Sequence, residues 1–298
     1  MTLDIFGFRA LWSPYFFLFL LLVATCYFLI TVKYRGKFSG SEPLTKRQAI
    51  YFTAGIILVY IIKGSPVDLL GHLMFYVHMI QMAFLYIVIP PLFIFGIPPW
   101  LWRKIISAPW IRKPFRLLTK PVPAILLFNG AFSFYHIPFI FDTVKTNLWL
   151  HAVHTLLLFL FALFMWWPLV NEVDEEQKLG GLKRMFYLFA DGALLTPACA
   201  LIIFSNVPLY SSFSEPDIWL QALQLCVPDA MISSLNLSGP EMFHSLSLLH
   251  DQQLGGILMK LIQEAVYGSV LYRSFMKWYR EEQKETQNSL SMDVELTK

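Results

Sequence analysis

The chain has 298 residues, of which 56% are hydrophobic, 16% aromatic and only 14% charged, with a formal net charge of +3. Long apolar runs at this density exceed what a soluble core can bury, so the composition requires a membrane and excludes an ordinary soluble protein. Nor does it offer a nucleic-acid surface, a phosphate-binding loop, or a nucleophile paired with a base.

A hydrocarbon core takes about 20 apolar residues per helix. Seven stretches qualify, roughly 14 to 32, 48 to 63, 67 to 90, 123 to 141, 149 to 170, 184 to 205 and 253 to 272. Each reads as an α-helix, because backbone groups in lipid need internal partners. The expected fold class is all-α: a polytopic seven-transmembrane-helix bundle forming one membrane domain over 1–280, followed by a mobile polar tail over 281–298. Before the first run stand Asp4 and Arg9, with no small-residue cleavage pattern after it, so the first helix is expected to remain as an anchor. Pro90-Pro91 and Pro98-Pro99 end the third helix, and Phe93 to Trp102 are placed at the inner interface. In the segment from 206 to 252, Ser214-Glu215-Pro216-Asp217 opens a short amphipathic helix expected to run through Cys226 along the bilayer surface.

Lys and Arg flanking the helices set orientation. Lys33, Arg35, Lys37, Lys46 and Arg47 fill one loop, and Arg103, Lys104, Arg112, Lys113, Arg116 and Lys120 the next on that side. Lys178, Lys183 and Arg184, with Arg273, Lys277, Arg280, Lys284 and Lys298, bring that side to 19 of the 23 basic residues. Only Arg9, Lys63 and Lys145 lie opposite, so the amino terminus is expected outside and the carboxyl terminus in the cytoplasm. Cys26, Cys199 and Cys226 lack C-x-x-C spacing and read as free, buried thiols rather than a redox pair or metal clasp.

With this orientation all seven histidines fall on the outer side. His72 and His78 sit in the outer half of helix three, His136 near the outer end of helix four, and His151 with His154 at the start of helix five. His244 and His250 belong to the outer segment. His151 and His154 share a helix face, as do Met74, His78 and Met82, while Met79 returns to the face of His72. Asp251, with Met259 two turns below it, offers a fourth wall at the start of helix seven. Methionine stripes are ordinarily adaptable packing, and single membrane histidines are often hydrogen-bonded packing residues. Five histidines on three helices at one depth point instead to a shared site, since ionisable groups in a membrane are costly. Imidazole with thioether favours copper, and Cu(I) in particular. Asp191, Lys260 and Glu264 read as a mutual buried pairing, with a proton path as the sharper alternative. A retinal Schiff base on Lys260 is disfavoured, because helix three has no carboxylate counter-ion.

The chain resembles the caa3-type cytochrome c oxidase assembly factors, the CtaG-like membrane proteins. The resemblance covers most of the bundle and rests on His72, His78-Met79-Ile80-Gln81, Pro90-Pro91-Leu92, Gly96-Ile97-Pro98 and His136-Ile137-Pro138. It continues through His151 and His154 with Trp166-Trp167-Pro168, and Asp251-Gln252 with Gly255-Gly256. Many relatives have histidine at the position of Met82, and an acidic or amide residue at that of Val153. The resemblance implies maturation of the haem-copper oxidase, at the copper centre of its catalytic subunit. The expected role is that of a non-enzymatic copper metallochaperone or biogenesis scaffold in the cell membrane, with the catalytic subunit of cytochrome c oxidase, other copper-delivery proteins and membrane lipid as partners. Haem handling, with His78 and His154 as facing ligands, is the main alternative. A copper or proton transporter using Asp191, Lys260 and Glu264 is the other.

Overall fold

The computed structural model describes residues 3–173, 177–235, 237–243 and 245–296, and among them all regular structure is helical. Five stretches are long and apolar enough to cross a membrane: Leu3–Lys33, Phe75–Gly96, Leu148–Val170, Gly181–Ile203 and Leu248–Lys284. Two bent pairs bring the number to as many as seven, Lys46–Gly64 with Pro66–Leu73 at 47° and Pro109–Leu118 with Pro121–Tyr135 at 82°. The helices are labelled α1 (Pro14–Phe28), α2 (Lys46–Gly64), α3 (Pro66–Leu73), α4 (Phe75–Ala83), α5 (Ile89–Gly96), α6 (Pro99–Ser107) and α7 (Pro109–Leu118). They continue as α8 (Pro121–Tyr135), α9 (Pro138–Lys145), α10 (Leu148–Val170), α11 (Gly181–Ile203), α12 (Pro216–Leu223) and α13 (Leu248–Leu296).

Proline opens many of these elements, including α3, α8, α9 and α12, where its missing N–H costs no helix bond. α13 packs most extensively on α11 and α4, and α2 on α5. Phe128, Phe132, Met165, Trp166, Leu195 and Met259 lie in the central core with essentially no exposure. α1 turns Leu18, Phe19 and Leu22 outward. An apolar surface on the outside of an apolar core is the arrangement of a helix against lipid.

The third sequence-derived helix needs correction. Residues 66–73 do not begin a single span running to 90; they form the separate helix α3, and the apolar span starts at Phe75. Ser65 and Met74 are both extended, and Pro66 enforces the first break. Gln81 fastens α4 back to the preceding segments, its amide donating to Ile62 O at 2.7 Å and Val67 O at 3.1 Å. Gly71 permits this approach, since a Cβ there would lie 1.8 Å from Gln81 Oε1. Helix four likewise stops at Tyr135 rather than 141, because Pro138 opens α9.

α12 forms where the Ser-Glu-Pro-Asp pattern placed it, but it ends at Leu223 and its apolar face meets protein rather than the bilayer. Trp219 and Leu223 pack with Phe6, Leu11, Leu69 and Leu73 in a second core. Asp191 also departs from the expected trio: its carboxylate accepts hydrogen bonds from Asn129 Nδ2 and Tyr267 OH in the core. Lys260 and Glu264 pair with each other at 2.8 Å on a partly exposed face. The cysteines are free, Cys199 buried, Cys226 partly buried and Cys26 exposed rather than buried. The polar stretch from 281 continues α13 as a helix through Leu296. His244 lies outside the described residues, and the six described histidines occur towards one end of the bundle, here the histidine end.

Candidate functional site

Three local devices set the histidines of this end. Ser65 caps α3, its Oγ accepting from Val67 N at 3.2 Å, and so orients the helix that carries His72. Asp251 caps α4: its carboxylate accepts from Phe75 N at 2.8 Å and Tyr76 N at 3.4 Å, fixing the turn that carries His78. Asn147 caps α10 by accepting from Leu150 N at 3.0 Å, one residue before His151.

These elements converge on a cavity of about 20 Å³ lined by His72, His78, His151 and His154, with Met82, Tyr86, Tyr135, Thr155, Gln81, Lys63 and Lys145. That volume takes about one water-sized guest. His72 Nδ1 lies 2.9 Å from Asp68 O, a contact that holds the proton on Nδ1 and leaves Nε2 with a lone pair. His72 Nε2, His78 Nε2 and His151 Nδ1 are all buried without a hydrogen-bond partner. A single unsatisfied buried nitrogen is costly, and these three are lone-pair or N–H groups that a water or an ion at the cavity can partner. The His72 and His151 ring centroids are 5.9 Å apart; two imidazoles holding one ion at about 2 Å place their centroids roughly 5 to 6 Å apart. The donor set therefore suits a soft or borderline cation. Among the described residues, no three histidine, cysteine or carboxylate side chains are gathered closely enough to hold an ion as they stand. Closure around one would need side-chain movement or a ligand such as Met82.

Other candidates from the sequence lie apart from the cavity. His136 is fully buried, its Nδ1 2.8 Å from Phe132 O and its ring 4.3 Å from that of Phe132, but it is not a lining residue. Met79 faces α13, where a Cβ on Gly255 would come within 3.0 Å of its Cγ. Met259 belongs to the apolar core. Asp251 acts on the α4 backbone, as described. Val153 is 53% exposed and lies outside the cavity, whereas Met82 is part of its wall.

Two lysines were missed as site residues. Lys63 pairs with Asp68, and Lys145, only 1% exposed, reaches Gly71 O at 3.4 Å and lies over the Phe213 ring. Burial, then the charge of Lys63, pushes the Lys145 ammonium down to about 7, with Asp68 opposing. Their signal was in the charge pattern: they are two of the three basic residues that the sequence sets opposite the 19 of the basic loops and tail.

Fold and site together define a polytopic helical membrane protein with an imidazole-lined cavity at one end. The cytochrome c oxidase caa3 assembly factor family matches residues 25–281, and the chain belongs to that family. No curated protein and no solved structure matches it.

Proposed function

We propose that the protein is a non-enzymatic Cu(I) carrier that loads the copper site in the catalytic subunit of cytochrome c oxidase. The observation that carries this reading is the set of unpartnered imidazole nitrogens at one cavity on His72, His78 and His151, with His154 and Met82 beside them. Copper is the cargo. Imidazole and thioether ligands suit Cu(I) and exchange more readily than a closed thiolate cage. Tyr135 stacks on His154, with ring centroids 4.2 Å apart, and holds that ring in place. A haem macrocycle is less well supported, because the cavity accommodates about 20 Å³. The transporter reading has less support, since Asp191 is hydrogen-bonded to Asn129 and Tyr267 while Lys260 and Glu264 pair with each other.

The proposal includes seven spans in the cell membrane, with the histidine end outside. The basic loops then lie in the cytoplasm, and the cargo sits in the outer half of the bilayer. The test is a deletion strain grown under limiting copper. Cytochrome c oxidase activity should fall while its apoprotein and haem persist, and quinol oxidases with independent assembly routes should keep their activity. Full cytochrome c oxidase activity in that strain contradicts the proposal.

A further inference from the structure

At the end of the bundle opposite the histidines, the start of α11 meets residues 274–278 of α13 at two adjoining cavities of about 240 and 510 Å³. Lys178, Lys183, Arg184 and Lys277 line them, with Trp278 at both and no carboxylate among the described lining residues. The loop carboxylates Asp174, Glu175 and Glu176 lie outside the described residues. Four cations line the two cavities, and two of them stand at a helix N-terminus, where the dipole favours an anion. Lys183 and Arg184 are in the first turn of α11, which has no acidic residue and no side-chain cap on Gly180. Gly181, at φ 37°, keeps the cleft in shape, because a Cβ there would lie 3.0 Å from Trp278 Cδ1. Depth supplies an independent indication: His250 and Trp278 lie on the same helix, 28 residues apart, or about 42 Å at the helical rise. That span matches a bilayer with its headgroup layers, so a cleft beside Trp278 opens at the headgroup level of the far leaflet.

We propose that this cleft binds a phosphate group, as carried by an anionic lipid headgroup, through Lys178, Lys183, Arg184 and Lys277. A phosphate offers a negative charge and several acceptor oxygens to both ammonium and guanidinium donors. Basic pockets between helix ends on the cytoplasmic side suit such headgroups. Lys178, Arg184 and Lys277 also make contacts within the protein, so the ligand joins an existing network. This inference is independent of the cargo at the histidine end.

The test uses the full chain in a non-ionic maltoside detergent, with phosphatidylglycerol, phosphatidylcholine or millimolar inorganic phosphate added. Retained ligand is read by native mass spectrometry and the melting temperature is followed in parallel. Phosphatidylglycerol should be retained well above phosphatidylcholine. The double variant Lys183→Gln, Lys277→Gln should weaken retention roughly 25-fold, taking about fivefold per cation. A control removing Lys104 and Lys113 from α6 and α7, with the same change in net charge, should weaken it less than twofold. If the first pair fails to fold, Lys277→Gln alone is read, with about a fivefold loss expected. Stabilisation by inorganic phosphate equal to that by the lipid assigns the site to free phosphate, while stabilisation by the lipid alone assigns it to a headgroup. Equal retention of both lipids, or equal weakening by the control pair, overturns the proposal.

Discussion

Asp251 shows how a residue's role depends on what its atoms meet. Its position beside a histidine cluster suggests a ligand, yet both carboxylate oxygens receive backbone N–H groups of α4. Replacement by alanine should remove a helix cap worth about 1 kcal/mol and release the turn that carries His78. Asparagine keeps an acceptor oxygen and should retain most of the stability. Thermal unfolding of the two variants in detergent distinguishes the roles: equal destabilisation by Ala and Asn would show that the charge, and not the cap, is what matters. Position, and not hydrogen bonding, divides the histidines: Nε2 is buried without a partner in both His72 and His136, but only His72 lines the cavity.

Among the elements, those with long apolar runs were legible in the sequence and those set by tertiary contacts were not. α10 and α11 follow from predominantly apolar stretches long enough to cross a membrane, and the Gly255-Gly256 close approach is borne out by the packing of Phe75 and Ile203 against those glycines. The break at Met74 was not legible, because nothing local stops a helix there; Asp251, 177 residues further on, and Gln81 maintain it. Lys63 and Lys145 were overlooked for a related reason, as a count of basic residues registers them only as a minority. Orientation is open to experiment at this scale. Reporters fused after Lys120 and after Arg280 should be cytoplasmic, and one near Ser238 external. A cytoplasmic reporter at Ser238 would reverse the proposed membrane placement of the histidine end.

For the whole molecule, the buried ammonium of Lys145 links folding to pH. Its ordinary value is 10.5 and burial lowers it to about 7 in the folded chain. Between those two values the unfolded chain binds more protons than the folded one, so stability should rise as pH increases from 7 towards 10; below 7 both states are protonated and this dependence disappears. Lys145→Met should flatten the rise in melting temperature between pH 7 and 9. An unchanged slope in that variant would mean that another group controls the dependence.

Cu(I) binding by the purified full-length protein, measured against a competing Cu(I) chelator under anaerobic conditions, tests the central claim most directly. The account predicts one Cu(I) per chain. His72→Ala and His151→Ala should each weaken binding by more than about 100-fold, beyond the range for loss of a group that only supports a ligand, while His136→Ala should leave the affinity within a few-fold. No binding by the parent chain, or binding unaltered in both the His72 and His151 variants, would contradict it.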